Sequence, residues 1–471
     1  MAHHLVLYIH GMWGRSTNLD RVSTMLNSSL ENHPDTIHPF APTNFSSFKT
    51  YDGVENLGNY VIASLFEELD RLHNDGITIT KISIVGYSLG GLIGRYVIGQ
   101  LESAGFFDTI KPILFTTFAT PHLGVKFYTY GGFFRNFLGS RLLGQTGRDL
   151  FVSEGYDSIL FKMTELNSIY VKGISKFKKI FTIANIKNDR TVPFFTSYIT
   201  KYNFSKHMNK LKLGMFKGFP SAQLKDLNYV EMNLVDFENS IESTDVEKEE
   251  TRYALILLMA FIGFFFPIVF LVSAISSIRS NIRVNSLPEF NIVKEWELTK
   301  SVLENKKNIN IPQESSHENL FRKAEHEISD ITRDIIEDGV ILSESESIKS
   351  GVESYIDSDT GEYDYEIDVP FAISCPSLKE TVKKFENSAK NIQLDNSQIC
   401  NSMELLPFDN TRLQMCDNLN KLPWLKLAVS QDSINAHQSI VARRGFGKTN
   451  QSLSLLWIWS QWAGSVFDED S

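Results

Sequence analysis

Short apolar runs alternate with helical patterns along about the first 200 residues of the chain. The runs predict buried strands, because a strand covered on both faces is apolar at nearly every position. Apolar positions spaced three and four apart predict the helices between them. The predicted strands are Leu5–Ile9, Lys81–Val85, Ile113–Phe118 and Ile180–Ala184, and the predicted helices are Val61–Leu72 and Gly90–Leu101. This alternation favours an α/β fold, with a mostly parallel sheet and helices on both faces.

The alternation stops near residue 205, and a large insertion precedes the last predicted strand, Leu422–Val429, and helix, Ser452–Ala463. Trp457, Trp459 and Trp462 on that helix either pack against the sheet or lie at a lipid surface. The predicted segments are a first core segment, residues 1–205, a connecting segment 206–252, an uncharged run 253–278, an acidic and largely disordered insertion 279–370, and a second core segment, residues 371–471.

Composition and charge narrow the possible function classes. Hydrophobic residues make up 42% of the 471, so most of the chain can bury a core. Twelve acidic and two basic side chains within 331–370 account for the whole net charge of −10, which argues against a nucleic-acid binder. Residues 172–217 hold eleven basic side chains and one acidic one. That window either faces anionic lipid headgroups or is an ordinary solvated surface.

The cysteines indicate a reducing compartment, and the first ten residues do not resemble a signal peptide. Cys375, Cys400 and Cys416 form no metal-ligand cluster and are too few for a disulfide framework. The first ten residues lack a basic segment followed by a long apolar one, so they predict a strand and not a signal peptide.

One motif predicts a nucleophile. The segment Gly86-Tyr87-Ser88-Leu89-Gly90 follows a predicted strand and begins a predicted helix, which is the context of a G-x-S-x-G turn. Such a turn presents the Ser88 hydroxyl at the carboxyl end of the sheet, and the helix N-terminus supplies partial positive charge beside it. The alternative is an ordinary glycine-rich strand-to-helix turn.

A second motif, His10-Gly11-Met12-Trp13-Gly14, lies directly after the first strand. A loop at that place can donate a backbone N–H to an oxyanion. We therefore expect an oxyanion hole made by the N–H groups of Met12 and Leu89. His10 itself is expected to be structural.

A serine nucleophile requires a base, and the base requires a carboxylate to orient it. Asp189 follows the strand Ile180–Ala184, at the strand end where such an acid belongs, although Asn-Asp is also ordinary turn chemistry. Among the 11 histidines, His437 is the best placed, after the last strand at a loop-to-helix junction. His122 is the rival base, and its expected role is to shape the wall of the site.

Taken together, these motifs resemble those of a fungal serine esterase/lipase family with an α/β-hydrolase fold. The resemblance covers roughly residues 3–205 and 420–445, and it also includes Thr120–Gly124, Asn188–Pro193 and Asn435–His437. It implies a nucleophile at Ser88, an acid at Asp189 and a base at His437. It further implies hydrolysis of glycerolipid esters without a metal or other cofactor. Within the family, the chain is most similar to a yeast lipid-droplet phospholipase.

The uncharged run 253–278 is long enough to meet a membrane. A single crossing would put Ser88 and His437 on opposite sides of the bilayer, so a working triad forbids it. Pro267 lies near the middle of the run and breaks helical hydrogen bonding. Two helical arms of about 12–14 residues reach ~18–21 Å, which suits a hairpin in one leaflet. The alternative is a buried core helix.

Residues 125–151, rich in aromatic side chains and glycine, form either a lid or acyl-chain groove, or an ordinary core helix. The sequence as a whole predicts a membrane-associated serine hydrolase acting on phospholipids or other glycerolipids. Its expected location is the lipid droplet or the endoplasmic reticulum membrane, with the catalytic domain in the cytosol. A lipid acyltransferase with the same triad and a non-catalytic membrane tether are the alternatives.

Overall fold

The computed structural model describes most of the two core segments and a smaller share of the insertion. The described residues are 2–128, 132–203, 212–214, 234–236, 270–304, 404–431, 433, 435–443 and 450–469.

An eight-stranded sheet forms the centre of the molecule, in the order β2-β1-β3-β4-β5-β8-β7-β6. The first six strands in that order are mutually parallel, and β7 and β6 continue the sheet antiparallel. The strands are β1 His3–Ile9, β2 Thr36–Phe40, β3 Ile79–Tyr87, β4 Lys111–Phe118, β5 Lys179–Asn185, β6 Lys212–Gly214, β7 Leu234–Asp236 and β8 Trp424–Val429. Alternate residues of one strand enter different cores: Leu5 and Leu7 pack on one face, whereas Val6 and Tyr8 pack on the other.

Helices cover both faces of the sheet. Helices α2, α3, α7, α10 and α11 pack on one face, and α1 and α13 pack on the other. The helices are α1 Asp20–Ser29, α2 Val54–Asn74, α3 Leu89–Ser103, α4 Gly132–Leu142, α5 Gly144–Leu150, α6 Ile159–Lys162, α7 Ile169–Ser175, α8 Phe194–Ser197, α9 270–286, α10 Ile292–Glu304, α11 Asn410–Leu419, α12 Ala436–Ser439 and α13 Asn450–Asp468. With the strand–serine–helix turn between β3 and α3, this is an α/β-hydrolase fold. The predicted fold class is confirmed.

The two ends of the insertion meet at the edge of the core. Tyr202 forms an antiparallel bridge with Leu405. The N–H of Asn203 donates to the carbonyl of Glu404 at 2.9 Å, and the N–H of Leu406 donates to the carbonyl of Lys201 at 2.8 Å. The chain therefore leaves and re-enters the core at one place, and β8 then pairs with β5 in parallel register.

Two helices lie at the beginning of the predicted acidic insertion, 279–370. Residues 270–286 form α9 and Ile292–Glu304 form α10, which packs on the core. Trp296 of α10 is buried, with its ring 4.7 Å from that of Phe106 and 5.6 Å from that of Phe66. The remainder, 305–370, lies outside the described residues.

The predicted membrane hairpin is described only at its C-terminal end. Residues 253–269 lie outside the described residues, and 270–278 form the first half of α9. None of the described helices combines the length and apolarity needed to cross a bilayer. Within the aromatic segment 125–151, residues 132–142 and 144–150 form α4 and α5, in which Phe137 is exposed and Leu150 is buried, and residues 129–131 lie outside the described residues.

The tryptophans of α13 pack against the sheet. Trp457, Trp459 and Trp462 are all buried. The indole N–H of Trp459 donates to the hydroxyl of Thr116 at 3.2 Å, and the ring of Trp462 meets Phe181 edge-on at 4.7 Å. This burial supports the prediction that the tryptophans pack against the sheet, and not the alternative that they lie at a lipid surface.

The loop after β4 is fixed by a buried cation and a buried imidazole. Arg95, fully buried on α3, donates hydrogen bonds to the carbonyls of His122 and Met163. The His122 ring lies 3.0 Å from the hydroxyl of Thr117. Burial is the main cause that lowers the pKa of His122 well below its ordinary value, and the charges of Arg95 and Lys426 lower it further.

We expect Trp459→Ala to lower the free energy of unfolding by about 3–5 kcal/mol, because it leaves a cavity between α13 and the sheet. Gln461→Ala, at a partly exposed position of the same helix, should change it by less than about 0.5 kcal/mol. Denaturant unfolding of both variants measures the difference. Equal effects of the two substitutions would contradict the packing described above.

We also expect His122 to make the fold acid-sensitive. Below about pH 6.5 the unfolded chain binds a proton at His122 that the folded chain excludes, so stability falls as the pH falls. Unfolding free energies of the wild type and His122→Gln, measured between about pH 7.5 and about pH 5, should differ in slope. Below about pH 6.5 the wild type should lose up to about 1.4 kcal/mol per pH unit more than the variant. Parallel curves would refute the claim.

Candidate active site

Ser88, His437 and Asp189 form a hydrogen-bonded triad at the carboxyl ends of β3, β8 and β5. The Nε2 atom of His437 lies 3.0 Å from the Oγ atom of Ser88. Its Nδ1 atom lies 2.9 Å from the Oδ2 atom of Asp189. A carboxylate only accepts hydrogen bonds, so Nδ1 carries the proton and Nε2 is left to accept from the serine hydroxyl. The structure thus brings together the three side chains that the sequence selected.

Ser88 occupies a strained turn between β3 and α3. Its φ of +55° is in a region that side-chain-bearing residues rarely adopt, and its N–H donates to the carbonyl of Phe118 at 2.8 Å. A Cβ atom at Gly90 would lie 2.0 Å from the carbonyl oxygen of Ile9, so only glycine permits this approach of α3 to β1. The turn holds the Ser88 hydroxyl at the positive end of α3.

Asp189 is oriented by the backbone that follows it. Its Oδ1 atom accepts hydrogen bonds from the N–H groups of Thr191 at 3.1 Å and Val192 at 2.8 Å. Its Oδ2 atom is therefore free to face His437, and both side chains are almost fully removed from solvent. The turn chemistry of the Asn-Asp pair and the role of Asp189 as an acid are compatible, because each uses a different carboxylate oxygen.

Two residues that the sequence did not single out hold the His437 segment in place. The hydroxyl of Tyr87 donates to the carbonyl of His437 at 2.9 Å, and the side-chain amide of Asn185 donates to the carbonyl of Ala436 at 2.6 Å. Asn435 caps α12 by accepting from the N–H of Gln438. Tyr87 adjoins the nucleophile and Asn185 ends β5. Their positions beside the two motifs are the only feature of the sequence that could have indicated their role.

The predicted oxyanion loop lies directly against the nucleophile. A Cβ atom at Gly11 would lie 2.8 Å from the Cβ atom of Ser88, which shows how closely this loop approaches it. Met12 is the next residue of the loop. Leu89 is the first residue of α3, so its N–H has no acceptor within the helix. Of the two predicted N–H donors, Leu89 thus directly follows Ser88, and Met12 belongs to the loop that touches Ser88.

The two other candidate histidines are not bonded to the nucleophile. The Nδ1 atom of His10 lies 2.9 Å from the carbonyl of Gly11, and its Nε2 atom lies 2.8 Å from the carbonyl of Phe45. Burial is the main cause that lowers the pKa of His10 to about 4, and the charge of Arg443 adds to it. His10 thus fixes the oxyanion loop, and His122 fixes the loop after β4.

The arrangement can activate a hydroxyl for attack on an acyl carbonyl. A general base is in hydrogen-bond contact with the nucleophile, a carboxylate orients the base, and a helix N-terminus lies beside the reacting atom. Within the described residues, no group of three or more His, Cys, Asp or Glu side chains is placed to hold a metal ion.

Two solved structures overlap a portion of the chain. Phospholipase PlaB from Legionella pneumophila gives a TM-score of 0.29 at 17% identity, over 42% of this chain and 41% of that one. The lin2722 product from Listeria innocua gives 0.26 at 12% identity, over 41% of this chain and 76% of that one. The assignment of the fold rests on the chain's own strand order and on the turn at Ser88.

Sequence relatives match part of the chain. "Putative lipase ROG1" from Saccharomyces cerevisiae is 28% identical over 219 residues, which are 44% of this chain and 30% of that protein. "Putative lipase C4A8.10" from Schizosaccharomyces pombe is 35% identical over 126 residues, which are 25% of this chain and 16% of that protein. The chain thus spans less than a third of the length of these relatives. Residues 1–201 match the family described as "Putative serine esterase (DUF676)". These residues, which carry Ser88 and Asp189 and make up less than half of the chain, are similar to that serine esterase family.

Proposed function

We propose that the protein hydrolyses acyl esters of glycerolipids at the surface of a lipid droplet or of the endoplasmic reticulum membrane. Among glycerolipids, we propose phospholipids as its substrates. The observation that carries the proposal is the continuous hydrogen-bonded line from the Ser88 hydroxyl through His437 to Asp189. The serine esterase family supports the reaction type, and the lipase relatives support a lipid substrate.

The geometry sets the order of proton transfers. Ser88 Oγ attacks the acyl carbonyl carbon while its proton moves to Nε2 of His437. The carbonyl oxygen becomes an oxyanion, which the N–H groups of Met12 and Leu89 stabilise. The tetrahedral intermediate then expels the alcohol, which takes the proton from Nε2. A water molecule, deprotonated by Nε2 of His437, finally attacks the acyl-serine, and the proton passes from Nε2 to Ser88 Oγ as the fatty acid is released.

The connection between the core segments supports a lipid-associated insertion that begins and ends on one side of the membrane. The paired backbones of 201–203 and 404–406 bring both ends of the insertion together. The part of the uncharged run 253–278 that precedes α9, residues 253–269, can then enter one leaflet while the triad remains in the cytosol. This arrangement suits the single phospholipid layer of a droplet.

We expect Ser88→Ala and Asp189→Asn each to lower kcat on a glycerophospholipid by at least about 10⁴-fold, because the first removes the nucleophile and the second disturbs the tautomer of His437. Ser103→Ala, at an exposed serine at the end of α3, is the matched control and should keep wild-type turnover.

The same assay, run on mixed glycerolipids with and without an added alcohol, separates the three candidate functions. Fatty acid released by the wild type and not by Ser88→Ala supports hydrolysis. Transfer of the acyl group to the alcohol in preference to water would indicate an acyltransferase. Absence of any product from the wild type would leave a non-catalytic tether.

We expect residues 253–269 to direct the protein to lipid. A fluorescent fusion in which a Gly/Ser linker of equal length replaces them should lose most of its droplet and endoplasmic reticulum signal, because the part of the uncharged run that precedes α9 is removed while α9 is kept. The control fusion carries the same linker in place of an equal stretch of the acidic segment 331–370. Unchanged targeting of the first fusion would contradict the assignment.

A further inference from the structure

Helix α9 turns its polar side toward the protein and its apolar side outward, which is the opposite of an ordinary surface helix. Its side facing the protein is lined by buried serines, namely Ser273, Ser276, Ser277 and Ser280. The opposite side carries four large apolar side chains that are 44–66% exposed, namely Leu271, Ile275, Ile278 and Ile282. Their spacing of four, three and four residues places them on one stripe, here called the outer face. A helix whose surroundings are protein and water normally buries such a stripe.

Polar bonds on the serine side explain why the helix does not rotate to bury its isoleucines. The carboxylate of Asp52, whose side chain is fully buried, accepts a hydrogen bond from Ser280 at 2.7 Å. It also accepts two from the guanidinium of Arg283, at 2.7 and 2.6 Å. Rotation of α9 would leave this carboxylate without these partners inside the protein, which is far more costly than exposing apolar side chains.

A further polar contact joins α9 to α4. The hydroxyl of Ser277 donates to the carbonyl of Arg141 at 3.2 Å. The guanidinium of Arg141 lies 3.9 Å from the ring of Phe137, one turn earlier on α4, and that ring is 46% exposed. An exposed aromatic ring with a cation over it thus lies on the helix that adjoins α9.

Helix α9 is also connected to the candidate active site. Ser273 and Tyr51 share a hydroxyl–hydroxyl contact of 3.4 Å. Tyr51 in turn accepts from the indole N–H of Trp13 at 3.1 Å, and the backbone N–H of Trp13 donates to the hydroxyl of Thr50 at 3.1 Å. Trp13 follows Met12, so the turn that carries Tyr51 joins α9 to the oxyanion loop.

The chemistry around the outer face favours a lipid surface as its occupant. The 17 residues immediately before α9, 253–269, contain no charged side chain, so the apolar character of the outer face continues into the preceding chain. Residues 270–286 contain two charged residues: Arg283 is paired with Asp52, and Arg279 lies at an exposed position beside the apolar stripe, where positive charge complements anionic headgroups. A helix of this length, about 25 Å, can lie in the headgroup plane with its apolar side inserted.

We infer that the outer face of α9 is a lipid-contacting surface that sets the orientation of the active site toward the lipid layer. This inference deepens the proposed function, and the choice of lipid as the partner rests on that function. It extends the proposed lipid contact from residues 253–269 to Ile282. The bonds to Asp52 make the orientation rigid, and the connection through Tyr51 fixes the oxyanion loop relative to the same surface.

A fluorescent dye whose emission rises in apolar surroundings tests the contact directly. The dye is attached at Ile282→Cys in the full chain, with Cys375 and Cys400 replaced by serine, since the remaining Cys416 is buried. The control carries the dye at Leu298→Cys on α10, which is 54% exposed. Phosphatidylcholine vesicles that contain phosphatidylserine should raise emission several-fold at position 282 and leave it unchanged at position 298.

Three results would overturn the inference. Emission at position 282 that does not respond to vesicles would show that the outer face stays in water. Emission that is already high without lipid, at every protein concentration, would show that the protein's own chain covers the outer face. Emission that rises with protein concentration alone would show that a second copy covers it.

A pair of charge variants provides a second test. Ile278→Glu/Ile282→Glu should lower the partition coefficient onto the same vesicles by at least about tenfold, because each exposed isoleucine contributes on the order of a factor of ten when buried in lipid. Val293→Glu/Leu298→Glu makes the same charge change on the exposed side of α10 and should not alter it. Equal partition of both double variants and the wild type would also refute the inference.

A soluble short-chain ester separates this inference from the proposed function. Both double variants should hydrolyse it at the wild-type rate, because neither pair contacts the triad. If the wild type does not hydrolyse any ester, the proposed function fails, while the dye and partition measurements still decide whether α9 contacts lipid.

Discussion

The hydrogen bond between Ser88 and His437 is the constraint on which the rest of the structure depends, because it joins side chains 349 residues apart. It forms only if β8 enters the sheet beside β5 and in one register, which pairs Asn185 with Val429. A shift by one residue would turn the end of β8 to the other face and move His437 away from Ser88. The sheet therefore acts as the common frame that aligns two distant regions of the chain.

That frame makes a long insertion compatible with a well-defined site. The antiparallel bridge between Tyr202 and Leu405 closes the insertion at its base, so its length does not affect the distance between Asp189 and His437. The insertion is not independent of the core, however, because Trp296 packs on Phe66 and Arg283 binds Asp52. The core and the helices α9 and α10 of the insertion are thus a single packed body around α2.

The elements of the fold that could be predicted from the sequence are those with a local signal. Fully buried strands such as β4 are continuous apolar runs, and the triad residues follow strands in the chain order of an α/β-hydrolase. Strand β2 was missed because it is an edge strand that is only partly buried and contains Pro39. The outer face of α9 could not be foreseen, because a helix with two opposite stripes does not reveal which one meets Asp52.

The order of the triad residues along the chain has a consequence for synthesis on the ribosome. The N-terminal region of a chain emerges and begins to fold first. Ser88, Asp189 and the uncharged residues 253–269 therefore leave the ribosome while the strand that precedes His437 has yet to be made. The nascent polypeptide therefore holds the nucleophile and the acid of the candidate triad long before its general base is made, and only the arrival of β8 in the sheet can complete the hydrogen-bonded line.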